Sequence, residues 1–269
     1  MAYLALEHLT WPEAEALSTD HALGLIPTGS IEQHGPHLPL ATDKLIAEEL
    51  GRRIGRTIAE LVIVAPVVPG GLSDHHLAFP GTVTFSEEHF GAGLDAYVAA
   101  FERMGVTNVA IISGHGGNLG YLGRYEKAHE EKSSPIQLIA HHDLGGYIEA
   151  MFAGARAGGF DPVETDVHAG GVETSQALVA FPELVRPFED VTGYDEAQEG
   201  WLARMLEEGL ETISPSGVLG DPTPATAKAG EAIFSHIAEY LVGWIVDSLG
   251  FTRSMKVSSP ARLEMELGG

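Results

Sequence analysis

Short, almost continuously apolar runs alternate along the chain with longer stretches whose apolar positions recur every three or four residues. "LGLIPTG" (23–29), "LVIVAPVV" (61–68), "VTNVAIISG" (106–114) and "IQLIAHH" (136–142) read as strands buried on both faces of a parallel sheet. Leu45, Ile46, Leu50, Ile54 and Ile58 recur at helical spacing, with Thr42 or Asp43 suited to cap the helix start. Phe90, Leu94, Val98 and Phe101 repeat the pattern after Ser86, and a long final helix is predicted over 225–249. Strand–helix alternation predicts a layered α/β/α fold around a mainly parallel central sheet. With no internal repeat or low-complexity linker, residues 1–252 are expected to form one domain, and 253–269 a loosely attached tail.

In such a sheet, ligands bind just beyond the carboxyl ends of the strands. There the sequence places its polar and glycine-rich stretches: "GSIEQHGPHLPLATD" after the first run, "PGGLSDHHLAFPGT" after the second, "SGHGGN" after the third and "HHD" after the fourth. A further stretch, "DVHAGGVETS" (166–175), precedes another helix. Glu32 and His34 at i and i+2 share one face of an extended segment, and Asp43 can aim a carboxylate back at that face. A carboxylate can bridge two cations, so Glu32, His34 and Asp43 with His115 can hold a dinuclear centre. Singly, each could equally be a hydrogen-bonded loop residue; the combination favours the metal reading. Gly114, Gly116 and Gly117 permit positive φ and close backbone approach, which could also present N–H groups to a substrate oxygen.

Composition narrows the chemistry. The chain has 13 histidines and no cysteine, so any metal must be held by imidazole and carboxylate. A formal charge of −23 argues against nucleic acid or an anionic membrane as partner. No apolar run approaches the roughly 18 residues of a membrane span, and the N-terminus lacks the pattern of a signal peptide, so a cytoplasmic protein is expected.

Taken together, "GSIEQHGPHLPLATD", "FPGTVTF", "SGHGGN", "HAGGVETS" and "GDPTPATAKAGE" resemble the creatininase (creatinine amidohydrolase) family, in order, from about Leu23 to Glu231. The resemblance implies a creatininase-like fold and an often hexameric hydrolase that cleaves C–N bonds of small molecules with two divalent metals, zinc, manganese or iron. By matching position it implies Glu32, His34, Asp43 and His115 as ligands, with Asp43 bridging. Glu173 is implied as the last ligand or as a base beside the metals, and His168 as proton donor to the leaving nitrogen. His37, His76, Gly116, Gly117 and Asn118 are expected around the substrate or behind the ligands.

Two departures bear on the substrate. The creatinine-cleaving branch carries Glu where this chain has Gly117, so the second metal lacks a carboxylate unless Glu173 supplies it. That branch also uses tryptophans at its site, whereas Trp11, Trp201 and Trp244 lie outside the matching loops. The "GHGGN" form is similar to branches acting on pyrimidine formamides, on mycofactocin-type peptides and on oxidised inositols. The expected substrate is therefore an amide, cyclic amide or formamide, with a short peptide or an oxidised cyclitol or lactone as the alternative. A purely structural metal site is a weaker reading, because structural sites are usually closed and poor in clustered carboxylates. Phosphoester hydrolysis would call for Arg or Lys in the motif loops, which hold only Lys44.

Overall fold

The computed structural model describes residues 3–254. Five parallel strands form one sheet in the order β1-β3-β2-β4-β5: β1 (Tyr3–Ala5), β2 (Leu23–Thr28), β3 (Val62–Val64), β4 (Asn108–Ser113) and β5 (Gln137–Ala140). The helices are α1 (Trp11–Glu15), α2 (Thr42–Thr57), α3 (Glu87–Arg103), α4 (Leu119–Glu130), α5 (Leu144–Gly158), α6 (Gly171–Ala180), α7 (Trp201–Glu208) and α8 (Ala227–Leu249). The expected layered α/β architecture is thus present, with a fifth strand, β1, added at the sheet edge.

Successive strand residues point to opposite faces, and both faces are buried. Leu23 and Leu25 join Ala110 and Ile112 in one core, which α2, α5, α6 and α8 cover. Ile26, Val109 and Ile111 point the other way, into a core closed by α3 and α4. Helix starts follow their local chemistry: the Ser86 hydroxyl accepts the His89 N–H at 3.3 Å, and Thr226 accepts that of Ala229 at 3.1 Å. At α2 the expectation needs correction. Its capping position is Ala41, and Thr42 instead donates its hydroxyl to the Pro39 carbonyl at 2.7 Å. Asp43 therefore sits inside the first turn with its carboxylate free for other partners.

The connection leaving β2 runs over one face through α2, and that leaving β4 runs over the other through α4. These two strands are neighbours, so their carboxyl ends flank a crevice at the point where the winding reverses. Arg253 bridges to Ile58, and the Ser254 N–H donates to the Thr57 carbonyl at 2.8 Å. The rest of the expected tail lies outside the described residues. No helix among the described residues is long and apolar enough to cross a membrane.

Candidate metal centre

Every principal ligand candidate converges on that crevice. Beyond β2 the loop closes on itself, with Glu32 N–H donating to the Leu40 carbonyl at 2.9 Å and Val83 N–H to that of Ile31 at 2.8 Å. This fold-back turns Glu32 and His34 toward Asp43. Beyond β4, the Ser113 hydroxyl accepts the His115 N–H at 3.0 Å and donates to its carbonyl at 2.8 Å, pinning the His115 backbone. Gly114 has no positive φ; its role is proximity, since a Cβ there would lie 2.5 Å from the Asp43 carbonyl oxygen. Gly117 is similar: a Cβ would lie 2.4 Å from His115 Nε2 and 2.5 Å from the Leu72 oxygen. Of the two freedoms expected of these glycines, the loop uses close approach and not positive φ.

The two oxygens of Asp43 face different imidazoles. Oδ1 accepts from His34 Nε2 at 2.9 Å, while Oδ2 lies 3.0 Å from His115 Nδ1. Glu32 Oε1 stands 3.2 Å from His115 Nδ1 and 3.3 Å from His76 Nε2. On the far side of His34, Glu173 Oε2 lies 3.5 Å from the same Nε2. Donor atoms of Glu32, Asp43 and His115 fall within 4.8 Å of one another, as do those of His34, His168 and Glu173 and those of Glu32, His76 and His168.

Glu32 and His34 have no exposed surface and Asp43 has 1 %, so water does not solvate these charges. Both Glu32 oxygens and Asp43 Oδ2 are buried without an aligned hydrogen bond, despite the nearby ring nitrogens. Buried carboxylates left this way are costly unless a cation completes them. The residues thus fit a pair of divalent cations that prefer oxygen and imidazole ligands.

The protonation preferences of these groups show the same demand for positive charge. Burial alone would lower His34, but Asp43, Glu173 and Glu32 together raise it to about 10. His115 is likewise raised, its burial outweighed by Glu32 and Asp43. Burial works to raise Glu32, yet His115 and His76 hold it down to about 2. Asp43 is pulled below the usual carboxylate range by His34 and His115, again against its burial. Protons on two imidazoles thus occupy the lone pairs for which metal ions compete. Glu173 differs: burial, reinforced by Asp43, pushes it up to about 7 although His34 pulls the other way.

His168 sits against Glu32, Nδ1 to Oε1 3.8 Å, and packs against His34 with ring centres 4.2 Å apart and ring planes tilted by 40°. Burial and the adjacent His34 hold it well below the ordinary imidazole range. Its Nε2 lies 2.9 Å from the Gln33 backbone carbonyl and 2.8 Å from the Gln33 side-chain nitrogen. With Nε2–H donating to that carbonyl, Nδ1 keeps its lone pair toward the cluster and can take up a proton. The next residue, Ala169, adopts a left-handed φ of 56°, uncommon for a side chain with a Cβ. That turn directs its N–H to Glu173 Oε2 at 2.6 Å, holding the carboxylate at the start of α6.

The remaining candidates separate clearly. His37 Nε2 meets the Thr174 hydroxyl at 2.8 Å, behind the cluster rather than in it. His76 faces Glu32 and takes a 3.0 Å contact from the Gln33 amide. Gly116 and Gly117 line the cavity above the cluster. Asn118 is fully buried and staples loops instead, bonding the Gly29 carbonyl at 3.1 Å and the Leu72 N–H at 3.0 Å. His141 packs edge-on to Trp244 and meets the Tyr240 hydroxyl at 3.1 Å, away from the centre. Lys44 pairs with Glu48 at 3.2 Å on the exposed side of α2.

Several residues at the site carried no assignment from sequence. Gln33 holds His76 through its side-chain nitrogen, 3.0 Å from Nδ1, and His168 through its backbone carbonyl, 2.9 Å from Nε2, with its own Oε1 fixed by the Gly35 N–H at 2.9 Å. Asp166 accepts the Val172 N–H at 3.2 Å at the start of α6, and burial pushes it up to about 8. His75 lines the cavity and stacks on His115 at 5.9 Å. Trp201, outside every motif loop, also lines it, so a tryptophan does reach the site. Adjacency to Glu32, His168 and His76 in the motif stretches was the available signal for Gln33, Asp166 and His75; Trp201 offered none.

A doubly covered parallel sheet with a carboxylate–imidazole cluster buried at its winding reversal defines an α/β protein built around a candidate dinuclear centre. The creatininase (creatinine amidohydrolase) model matches residues 7–245, and the chain belongs to that family of hydrolases. It is 31% identical over 261 residues to a mycofactocin precursor peptide peptidase of Mycolicibacterium smegmatis, covering 90% of this chain and 96% of the relative. It is 28% identical over 242 residues to a 3-dehydro-scyllo-inosose hydrolase of Thermotoga maritima, covering 81% and 74% respectively. A solved mutant creatininase of Zn-Zn type shares the fold at a TM-score of 0.67 and 19% identity, covering 92% of this chain and 98% of that one.

Proposed function

We propose that the protein is a two-metal hydrolase that cleaves the C–N bond of an amide in a molecule the size of a short peptide or acyl amide. The observation that carries this reading is Asp43, whose two oxygens face two different sets of ligand atoms. Glu32, Asp43 and His115 would hold one cation, and His34, Asp43 and Glu173 the other. Bound there, divalent cations supply Lewis-acid polarisation of a carbonyl and an acidified water.

The chain's own groups handle the protons. His168 Nδ1 accepts a proton on the cluster side and returns it to the departing nitrogen, while Nε2–H stays on the Gln33 carbonyl. Gln33 keeps the ring from turning. Walls supplied by α5 and α7 limit water around the reacting group, which strengthens every charge interaction inside. A peptide-sized substrate is supported by the cavity volume of about 500 Å³. That lies within the roughly 300–1,000 Å³ typical of sites for drug-sized ligands. Phosphoesters are disfavoured, because no Lys or Arg among the described residues lines the cavity.

The test is a panel of acyl dipeptide amides, formamides, cyclic amides, lactones and phosphoesters, assayed after metal loading and again after chelation. Amide cleavage that chelation abolishes and metal restores is the expected result. Equal amide turnover in the chelated and loaded protein, or cleavage of phosphoesters alone, would contradict the proposal.

A further inference from the structure

The centre forms the floor of the cavity, and two helices form a wall of different character. Helix α5 contributes Leu144 and Ile148; α7 contributes Trp201, Leu202 and Leu206. On α7, Trp201 and Met205 turn into the protein, whereas Leu202 and Leu206, one turn apart, are 38% and 55% exposed. Leu144 faces the same opening and is 38% exposed. A short helix with an apolar stripe on each of two sides is unusual on so charged a surface, and here the second stripe lines the same cavity as the centre. Apart from the groups of the centre, the charged residues that line the cavity among the described residues are Glu164 and Glu199, both acidic.

We propose that the slot between α5 and α7 is a side-chain subsite: it seats a bulky apolar group next to the amide to be cleaved and rejects carboxylates there. The inference rests on the amide-hydrolase reading and adds the class of side chain it selects. Removing a leucine- or phenylalanine-sized group from water favours binding by about 10- to 100-fold. A carboxylate in the same place would be desolvated beside two glutamates, with no Lys or Arg among the described lining residues to pair it.

The experiment uses acetyl-Gly-Gly-amide and its derivatives with Leu, Phe or Asp at one position at a time, on the metal-loaded full chain. Leu or Phe at one of the two positions should raise kcat/KM about 10- to 100-fold over Gly, and Asp should lower it. The exposed substitution Leu206→Glu should collapse the Phe/Gly ratio toward one. Affinities of the same peptides for the chelated protein, read from tryptophan fluorescence and assigned with Trp201→Phe, should show the same order.

The outcomes separate the two readings. Cleavage of all peptides within about twofold of one another would overturn the subsite and leave amide hydrolysis standing. Ordered affinities without any cleavage would support the subsite and sink amide hydrolysis. Affinities that do not differ overturn the subsite whether or not cleavage occurs. If Leu206→Glu instead alters the molecular mass in light scattering and leaves the Phe/Gly ratio intact, the leucine stripe is an interface between copies, and the proposal fails.

Discussion

Replacing Asp43 by Ala will remove bound metal and turnover together, with both cations lost in parallel. Among the described residues, Asp43 is the one carboxylate whose oxygens face His34 and His115 at once, at 2.9 and 3.0 Å. Without it, both ligand groups lose a shared anion, and two imidazoles are left buried beside Glu32 and Glu173. Metal ions contribute several kcal/mol of charge stabilisation, and each 1.4 kcal/mol or so is a factor of ten in rate, so activity should fall by about four orders of magnitude. His168→Ala provides the contrast. It should retain metal while kcat falls about 10²- to 10⁴-fold, the usual contribution of a general acid or base. Metal content by elemental analysis, beside kcat for each variant, checks both. A His168→Ala protein as poor in metal as Asp43→Ala would make His168 a ligand, an alternative its distances to Glu32 and His34 allow.

The second large effect is expected at Glu173. Glu173→Gln keeps the shape and an acceptor for the Ala169 N–H but removes the charge. The cation near His34 should then bind at least about 10- to 100-fold more weakly, since loss of a merely supporting group already costs that much. The cation held by Glu32, Asp43 and His115 should be retained, and activity should fall with the weaker site. Metal titration by calorimetry resolves the two sites, and two unchanged affinities would remove Glu173 from the ligand set. A carboxylate introduced at position 117 cannot substitute. A Cβ there meets His115 Nε2 at 2.4 Å and the Leu72 oxygen at 2.5 Å, so Gly117→Glu should displace His115 rather than restore the charge.

Much of this site was legible because its ligands lie in short contiguous stretches, each following a strand that its apolar run betrays. Glu32, His34, Asp43 and His115 follow β2 and β4, and adjacency of those strands brings the loops together. Glu173 and His168 follow no strand and were legible only through the family resemblance of "HAGGVETS". The sheet edge was not: β1 is three residues long, too short to show a period. Helix α5, which carries glycines that disfavour a helix interior, was not among the helices expected from the sequence. In the fold they let α8 approach, since a Cβ at Gly154 or Gly158 would lie 2.4 Å from the α8 backbone. The cavity wall was least legible of all. Leu202 and Leu206 stand more than 80 residues beyond the loop after β4, and only tertiary packing sets α7 above the centre.

The central claim is that carboxylates and imidazoles of this cysteine-free chain hold two divalent cations. Elemental analysis of the full chain, loaded with excess Zn²⁺ or Mn²⁺ and then dialysed, tests it most directly. The account predicts about two equivalents per chain, one for each ligand group, in keeping with two-metal hydrolysis. Less than about half an equivalent after loading in excess would contradict it, because a single occupied site would already give one.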